Sequence, residues 1–375
     1  MYGGVETLLT TLARSRGLCP AMEQHFALCF EGRLSRELAE QHVPVYMLGD
    51  AHVSRPWTIV KARAALDLLL AREHFDTVVT HMCWPHMLFA PIVLPYTQNL
   101  VYWAHSATSG GHWTERWASR TKPAMVIANS RFVAGSVSRL FGAVRTEVIC
   151  YPVSSALENT STRARLEIRE KLGARAESFI IIQASRMESW KGHMLHLDAL
   201  ALLKDVPGWV CWMAGGAQKA DEQAYLSRLR NRATECGLGD RILFLGQRTD
   251  VRSLLGAADL FCQPNQLPEP FGIVFIEALA AGLPVISTRL GGPMEIVVES
   301  CGLLVPPDDP HALAAALRQC IENRDLRLRL GVNAPARARE LCDPATQLQR
   351  LYSAFRALRS RADARRGAAT TSVLT

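Results

Sequence analysis

Short apolar runs alternate along this chain with longer stretches in which apolar residues recur at helical spacing. This alternation predicts parallel sheets that are covered by helices. In the first half we predict strands at 43–48, 77–80, 100–103, 125–128 and 147–150. In the second half we predict strands at 179–184, 209–214, 242–245, 260–263, 284–287 and 303–305. The pattern therefore favours an α/β protein with two doubly wound domains.

A polar stretch at 151–165, rich in Ser and Thr, separates the two sets of strands and is typical of an interdomain linker. We therefore predict an N-terminal domain at 1–155 and a C-terminal domain at 166–343. Two doubly wound domains joined in this way are expected to face each other across a cleft.

The end of the chain combines an amphipathic helix with a short basic tail. The helix, 344–361, needs an apolar surface to cover and is predicted to pack back on the N-terminal domain. Residues 362–375 are predicted to be a flexible tail, and removal of the residues after Arg366 is expected to leave folding intact. The arginines near this end are interpreted as a solvated helix face, with peripheral contact at an anionic inner membrane as the minority alternative.

The composition is that of a folded protein, since 49% of the 375 residues are hydrophobic and can form a large core. No apolar run is long enough to cross a bilayer and no signal peptide is visible, so we expect a soluble, cytoplasmic protein. The net charge of +7 is modest for this length and does not indicate nucleic-acid binding. The ten cysteines are scattered singly, which disfavours a zinc or redox site.

The most informative segment is PEPFGIVFIEALAAGLP at 268–284. Its Pro-Phe pair is predicted to open a helix whose first N–H groups, with Gly272 beneath them, can bind phosphate or sugar oxygens. Glu269 precedes this helix, and Glu277 lies two turns within it. Because a carboxylate accepts two hydrogen bonds from a vicinal diol, the two glutamates favour a ligand that carries diols beside a diphosphate, such as a nucleotide sugar.

A second segment, QASRMESWKG at 183–192, follows a predicted strand. Arg186 and Lys191 stand five residues apart in this loop, at the carboxyl end of a strand, where ligands of open α/β sheets bind. Two cations there can neutralise the charge that builds on a diphosphate leaving group, so no metal ion is required. Either residue alone is more often a solvated surface charge, but the glutamate segment favours the functional interpretation.

Two further segments carry weaker signals. Gly3 and Gly4 precede a helical stretch and allow close approach of the backbone to an anion. His105, in YWAHSAT, follows the predicted strand at 100–103, on the side of the sheet where a ligand is expected. A single histidine is more often a satisfied structural residue, so this pattern leaves its role open.

These four segments together resemble the retaining glycosyltransferases of family 4, which have the GT-B fold of two facing Rossmann-like domains. Glu269 and Glu277 match the two glutamates of that family, and the Pro-Phe-Gly sequence that follows Glu269 is usual between them. Further matches are ANSRFVAGSV at 128–137, RLGGPMEIV at 289–297 and GLLVPPDDP at 302–310.

The resemblance implies a role for each matched residue of the donor-binding domain. Arg186 and Lys191 would hold the donor diphosphate, and Glu277 would bind the ribose hydroxyls. Glu269 would bind the hydroxyls of the transferred sugar. The backbone amides that assist Glu269 would be those of Phe271, Gly272, Ile273 and Val274.

In the acceptor-binding domain, the resemblance implies that His105 contacts the sugar near the reacting carbon and that Gly3 and Gly4 close over the phosphates. Residues 246–249 would lie where the family seats the base. Family members usually have a complete strand before the Gly-Gly loop, whereas only two residues precede it here. Either the chain begins late or the first sheet lacks a central strand.

The predicted function is that of a retaining hexosyltransferase in polysaccharide or glycoconjugate biosynthesis that needs neither a metal nor a cofactor. Its donor would be a UDP- or GDP-sugar, and its acceptor a glycan, a lipid-linked compound or a small molecule. A nucleotide-sugar epimerase, a phosphorylase and a non-catalytic sugar-nucleotide-binding homologue stay open, because they share the architecture. A nicotinamide dehydrogenase is disfavoured because no predicted strand is followed by G-x-G-x-x-G.

Overall fold

The computed structural model describes residues 3–153, 161–362 and 371–375. The chain divides into two compact units, the first made of Met1–Val153 with Cys342–Thr375 and the second of Ser154–Leu341. The first unit therefore includes the end of the chain. Parts of the predicted linker, 154–160, and of the predicted tail, 363–370, lie outside the described residues.

Strands and helices alternate along both units. The strands are β1 (Met22–Leu28), β2 (Val45–Met47), β3 (Thr77–His81), β4 (Leu100–Ala104), β5 (Met125–Ala128), β6 (Thr146–Val148), β7 (Phe179–Ala184), β8 (Trp209–Ala214), β9 (Ile242–Gly246), β10 (Leu260–Gln263), β11 (Val285–Thr288), β12 (Gly302–Val305) and β13 (Thr371–Leu374). The helices are α1 (Gly4–Arg14), α2 (Arg33–Glu40), α3 (Pro56–Arg72), α4 (Cys83–Val93), α5 (Trp113–Ala118), α6 (Arg131–Ala134), α7 (Ser138–Phe141), α8 (Thr162–Lys171), α9 (His193–Ala201), α10 (Ala220–Glu235), α11 (Val251–Ala257), α12 (Ile273–Ala280), α13 (Pro293–Ile296), α14 (Pro310–Glu322), α15 (Arg324–Cys342) and α16 (Pro344–Ala362).

The first unit is built on a parallel sheet in the order β2-β1-β13-β3-β4-β5-β6. Every residue of β3, β4 and β5 is buried, as expected for strands in the middle of a covered parallel sheet. The last helix, α16, belongs to this unit, and its Arg359 forms an ion pair with Asp76 at 3.2 Å.

The second unit is built on a parallel sheet in the order β12-β11-β10-β7-β8-β9. Fully buried side chains such as those of Trp209, Trp212 and Phe261 fill its interior. The strand order reverses between β7 and β10, because β8 and β9 lie on one side of this pair and β11 and β12 on the other. In open α/β sheets, ligands bind outside the carboxyl ends of the strands at such a switch point.

The predicted α/β class with two parallel sheets is confirmed, and each predicted strand lies within two residues of an observed one. Two strands were not predicted, β1 and β13. The sequence of β1, MEQHFAL, has three adjacent polar residues that interrupt its apolar pattern, yet one of them, Gln24, is buried. Pairing with neighbouring strands, and not local propensity, makes this segment a strand.

Three expectations about boundaries were wrong. The predicted linker ends earlier, because Ser161 caps α8 by accepting a hydrogen bond from the Ala164 N–H at 3.1 Å. The helix of the glutamate segment begins at Ile273 and not at the Pro-Phe pair, because Gly272 adopts a φ of 94° just before it. Part of the predicted flexible tail, residues 371–374, forms β13 in the middle of the first sheet, where a missing strand was expected.

Candidate functional site

The start of α12 forms one side of the candidate site in the second unit. Its N-cap, Gly272, has a φ of 94°, and a Cβ atom there would lie 2.5 Å from Phe275 Cδ2. The position therefore requires glycine. The first N–H groups of a helix have no partner within the helix, so those of Ile273 and Val274 can donate to an oxygen-rich ligand at the positive end of the helix dipole.

Lys191 and Glu269 form an ion pair beside this helix start. Lys191 Nζ donates to Glu269 Oε2 at 2.5 Å, and the two side chains are 11% and 13% exposed. The ammonium group also lies 3.8 Å from the centre of the Trp190 ring, a cation–π contact. A Cβ atom on Gly272 would lie 3.2 Å from Glu269 Cγ, so the carboxylate side chain lies against the helix start. Two of the predicted segments thus meet at the switch point of the sheet.

The loop that carries Lys191 is held by contacts with its surroundings. Gln183, in β7, donates its side-chain amide to the Lys191 carbonyl at 2.9 Å. Gly192 has a φ of 74°, and a Cβ atom there would lie 1.7 Å from the Pro264 carbonyl oxygen, so the loops after β7 and β10 are in direct contact. Burial, with the nearby charge of Lys191, lowers the pKa of His193 to about 3. This histidine is therefore neutral at physiological pH.

Two glycines after β11 contact the loop that carries Glu269, here called the glutamate loop, and hold it in place. Gly291 forms a parallel bridge with Glu269, and the N–H of Gly292 donates to the Glu269 carbonyl at 2.7 Å. A Cβ atom on Gly291 would lie 2.4 Å from the Glu269 carbonyl oxygen, and one on Gly292 would lie 2.5 Å from the Phe271 carbonyl oxygen. A side chain at either position would displace the loop and, with it, the carboxylate of Glu269. This gives the RLGGPMEIV segment a physical role that was not predicted.

Glu277 lies one turn into α12 and not two turns as predicted, because the helix begins at Ile273; its side chain is 18% exposed. Burial raises the pKa of its carboxyl group, and Arg252, whose Nε lies 3.4 Å from Glu277 Oε1, opposes that shift. Arg252 was not predicted, because a single arginine on a helix carries no signal of its own. A carboxylate with one long contact can still accept hydrogen bonds from a diol.

Arg186 lies in the same loop as Lys191, but its side chain is more exposed to solvent. Its side chain is 45% exposed, and its guanidinium forms an ion pair with Glu188 at 3.1 Å. The structure thus puts one predicted cation in a nearly buried pair and the other in a half-exposed pair. A half-exposed guanidinium can turn to a new anion at little desolvation cost.

The predicted base-binding segment, 246–249, follows β9. Arg248 donates to Asp250 Oδ2 at 2.6 Å. A Cβ atom on Gly216 would lie 2.9 Å from Gln247 Cβ, so this segment packs closely against the loop after β8. The segment therefore belongs to the same carboxyl-terminal edge of the sheet as the Lys191 loop.

The predicted anion-binding glycines lie at the start of α1, in the first unit. Gly3 is the N-cap of this helix and Gly4 is its first residue. The N–H of Gly3 donates to Glu6 Oε2 at 2.9 Å, so a carboxylate of the chain already occupies the positive end of the helix. A phosphate at this place would have to displace Glu6, and the role of the two glycines stays a prediction.

His105 lies just beyond β4 in the first unit and is only 7% exposed. Its Nε2 lies 2.8 Å from His81 Nδ1, and its Nδ1 lies 2.5 Å from the Tyr151 hydroxyl oxygen. Asn129 donates its side-chain amide to the His105 carbonyl at 3.0 Å and to the Tyr151 hydroxyl at 3.1 Å. Both ring nitrogens of His105 are therefore engaged in a buried network.

Burial lowers the pKa of both histidines in this network, and the neighbouring His81 adds to the effect on His105. The pKa of His81 falls to about 3. Both rings are thus neutral at physiological pH, and contact between the His105 ring and a sugar would require the network to open. The network was not predicted, because His81 and Tyr151 lie far from His105 in the sequence.

The described part of the chain offers no group of three His, Cys, Asp or Glu side chains that could hold a metal ion. Among the same residues, none of the helices combines the length and the apolar character that a membrane span needs. The cysteines are free thiols. Burial raises the pKa of Cys320 to about 12, which keeps that thiol protonated at physiological pH.

A protein-family comparison identifies the domain that contains the candidate site. Residues 164–337 match the family model described as Glycosyl transferases group 1. The matched range includes Arg186, Lys191, Glu269 and Glu277.

Curated relatives match about half of the chain. LpsB of Rhizobium meliloti (strain 1021), a lipopolysaccharide core biosynthesis mannosyltransferase, is 33% identical over 177 residues, which are 46% of this chain and 50% of that protein. A D-inositol 3-phosphate glycosyltransferase of Corynebacterium glutamicum (strain R) is 33% identical over 202 residues, which are 51% of this chain and 47% of that protein. The chain thus spans about half the length of the curated relatives it matches.

Solved structures match nearly the whole chain. The crystal structure of Anabaena Alr3699/HepE in complex with UDP is 27% identical, has a TM-score of 0.81 and covers 95% of this chain and 96% of that chain. WaaG, a glycosyltransferase involved in lipopolysaccharide biosynthesis, is 18% identical with a TM-score of 0.69, covers 94% of this chain and 96% of that chain, and is similar in fold. With their two parallel sheets, the units of this chain have the GT-B fold, and residues 164–337 form a glycosyl transferases group 1 domain.

Proposed function

We propose that this protein is a glycosyltransferase that moves a hexosyl group from a nucleotide-sugar donor to a hydroxyl group of an acceptor. The observation that carries the proposal is the Lys191–Glu269 ion pair, which lies at the switch point of the second sheet and against the start of α12. The cation of this pair suits a diphosphate and the carboxylate suits sugar hydroxyls, so a nucleotide sugar matches both.

Donor binding would replace the ion pair with two sets of contacts to the ligand. Lys191 would turn to the diphosphate oxygens, joined by Arg186, while Glu269 would accept hydrogen bonds from vicinal hydroxyls of the sugar. The N–H groups of Ile273 and Val274 would face the same ligand. As the bond to the sugar breaks, negative charge builds on the diphosphate, and the two cations would stabilise that charge without a metal ion.

The nucleoside would be held farther along the same edge, with Glu277 accepting hydrogen bonds from the ribose diol. Residues 246–249 would lie near the base. The UDP complex of HepE, and its complex with UDP-glucose, support a UDP-sugar as the first donor to test. A GDP-sugar is the second, because the Glu277 contact would not distinguish between bases.

Retention of the anomeric configuration and membership of family 4 are part of this proposal, and the segment 268–284 with its two glutamates, Glu269 and Glu277, supports them. Gly3, Gly4 and His105 would contribute from the first unit. Because both of its ring nitrogens are engaged, His105 would act by shaping the end of β4 and not through a free imidazole. We propose a glycan or lipid-linked acceptor in the cytoplasm, at or near the inner membrane, since LpsB acts in lipopolysaccharide core biosynthesis.

The rival functions differ from transfer in their products. A non-catalytic binder would retain nucleotide affinity without releasing nucleotide from a donor, and an epimerase would convert the donor without an acceptor. The group 1 domain match favours transfer over both. Chromatography of donor, nucleotide and sugar after incubation with candidate acceptors distinguishes the three.

Binding is tested first, by thermal denaturation with UDP, GDP and ADP. A nucleotide at a hundred times its Kd should add about 2.7 kcal/mol to the free energy of unfolding. Lys191→Ala should weaken that nucleotide about ten- to a hundredfold, since a charge-assisted contact contributes about 1.5–3 kcal/mol. Lys204→Ala, which removes an exposed lysine of the same unit, is the matched control. Equal affinity in the two variants would place the diphosphate elsewhere.

A further inference from the structure

Helix α3 of the first unit has two apolar faces, and one of them is exposed. The side chains of its inner face are buried in the core of that unit: Ala62, Leu66, Leu69 and Leu70. The opposite face carries Trp57, Val60 and Leu68, which are 61%, 66% and 66% exposed. A helix that is apolar on two opposite faces is expected to be covered on both. The exposed face therefore indicates a partner.

The exposed face is a narrow stripe whose spacing is symmetric about its centre. It consists of five exposed residues, Trp57, Val60, Ala64, Leu68 and Ala71. At 3.6 residues per turn, these positions fall within an arc of about 80° around the helix. Counted outward from Ala64, the other members lie four and seven residues away in both directions. A two-fold axis through Ala64 would therefore bring this stripe onto the same stripe of a second, antiparallel helix.

Across such an axis, the facing residues are complementary in size. Val60 would face the partner's Leu68, and Trp57 would face the partner's Ala71, so that the largest side chain of the stripe meets a methyl group. Ala64 would face its own copy at the axis. Two methyl groups there would let the helices approach to about 8 Å, the short end of ordinary helix–helix distances. The stripe can therefore pack against its own copy without leaving voids.

The charged residues at the edges of the stripe also match across the axis. Lys61 and Asp67 lie three residues before and after Ala64, on opposite edges of the stripe, so they cannot pair within one helix. The axis would place Lys61 of each chain beside the partner's Asp67, which gives two ion pairs in the interface. Tyr96 donates its hydroxyl to Asp67 Oδ1 at 2.9 Å and so orients the carboxylate. Size and charge thus select the same antiparallel register.

We propose that the exposed face of α3 is the interface of a homodimer, in which it packs against the antiparallel α3 of a second copy of this chain about an axis through Ala64. Trp57 is the aromatic anchor of this interface. Contact along one helix face is small for a protein–protein interface, so we expect a reversible dimer with a Kd of about 1–100 μM. In sedimentation velocity, the full chain should change from monomer to dimer across that range. A chain that stays monomeric throughout would overturn the proposal.

Charge reversal at the edges of the stripe tests the register. Lys61→Glu should weaken the dimer at least about tenfold, because two carboxylates would then lie side by side at both edges of the interface. Asp67→Lys should weaken it similarly, with ammonium groups in their place. An equimolar mixture of the two variants should form a heterodimer about as readily as the parent forms its homodimer, because each facing pair is again opposite in sign. A mixture that associates no better than either variant alone would contradict the register.

Disulfide cross-linking tests the position of the axis. Under mild oxidation Ala64→Cys should form a covalent dimer, because its two copies would lie within the Cα separation of about 4–7 Å that a disulfide allows. Ala71→Cys is the matched control, since its two copies would lie about 20 Å apart. Both yields are compared with that of the parent protein, whose own cysteines are free thiols. Equal yields in the two variants would place the axis elsewhere and overturn the proposal.

A buried charge tests the apolar part of the stripe. Val60→Glu should raise the Kd of the dimer at least about a hundredfold, because each copy would bury a carboxylate against an apolar side chain. Val332→Glu, at a side chain 77% exposed on α15 of the second unit, is the matched control. Since both positions are exposed, neither variant should lower the Tm of the monomer. Equal dimerisation of the two variants would overturn the proposal.

A lipid surface is the other occupant that this face could have, and the same variants test it. A monomeric parent protein that binds phosphatidylglycerol vesicles, and loses them in Val60→Glu but not in Val332→Glu, would overturn the homodimer and assign the face to a membrane. Nucleotide binding is not part of these measurements, so their outcome does not depend on the proposed activity.

Discussion

Replacing Glu269 with glutamine would remove one charge of the pair with Lys191 and keep the shape of the side chain. The two partners are only 13% and 11% exposed, so Lys191 would be left as a poorly hydrated cation without a counter-charge. Loss of one partner of a fully buried pair costs about 3–5 kcal/mol, and the residual exposure here reduces the expected cost to about 2–3 kcal/mol. Thermal denaturation without ligand should therefore show a Tm that is lower by about 4–10 °C.

Added nucleotide should restore much of the lost Tm, because the Lys191 ammonium can then pair with a diphosphate. In the variant this pairing does not require Lys191 to leave a carboxylate first, as it does in the parent protein. In calorimetry, we expect Glu269→Gln to bind UDP severalfold more tightly than the parent protein does. Turnover should nevertheless fall about 10²–10³-fold, since a contact that is strongest in the transition state is lost. Glu167→Gln, which removes the partner of an exposed arginine in the same unit, is the matched control and should change none of these. Weaker UDP binding in Glu269→Gln, or equal loss of Tm in the two variants, would refute the reasoning.

Glu277→Gln should weaken UDP binding yet raise the free energy of unfolding at pH 7, because a carboxyl with a raised pKa destabilises the fold when it is ionised. In urea titrations, this gain in the free energy of unfolding should vanish below pH 4.5, the ordinary pKa of the group. Gly291→Ala should displace the loop that carries Glu269 and lower turnover at least about tenfold. Gly239→Ala, where a Cβ atom meets nothing within 4 Å, should keep the turnover of the parent protein. Equal turnover of the two variants would contradict the role of the loop contact. Burial lowers the pKa of His86 from 6.5 to about 4, so the stability that its neutral form supports is present above pH 6.5 and is lost as the pH falls. The difference in unfolding free energy between parent and His86→Gln should shrink by up to about 1.4 kcal/mol per pH unit in that range, and a constant difference would count against this. Turnover should persist in EDTA, and loss of activity that magnesium or manganese restores would contradict the metal-independent mechanism.

The strands that were predicted well are those whose own residues are apolar enough to indicate burial. Ile180, Ile181 and Ile182 of β7 are fully buried, and such an apolar run is a strong signal wherever it occurs. β1 and β13 differ because their pairing partners determine them. Gln24 is buried although it is polar, and it stands opposite Val373 of β13. No local pattern shows which distant segment will take a place between two strands.

The sequence singles out some residues of the candidate site, and their roles stay predictions. Glu269, Lys191 and the glycine before α12 stand out because their chemistry is unusual beside strand ends. The residues that place them do not stand out, since Gly291 acts only through the space that a Cβ atom would need beside the glutamate loop. The short contact between Lys191 and Glu269 could not be predicted either, because 78 positions of sequence separate the two residues.

The position of β13 has a consequence for how the protein is made. A hydrogen bond between Thr375 and His25 joins residues that are 350 positions apart, so the first sheet cannot be completed until residues 371–375 have been synthesised. At about 5–20 residues per second, synthesis of the chain between β6 and β13 takes roughly ten to forty seconds. During this time β1 to β6 have been synthesised, but the strand that lies between β1 and β3 has not. Two unpaired edges then face each other, and such edges readily pair with other chains. Because closure over so long a loop is also slow, we expect the yield of folded protein to depend on chaperones and on growth temperature more than on the stability of the finished sheet.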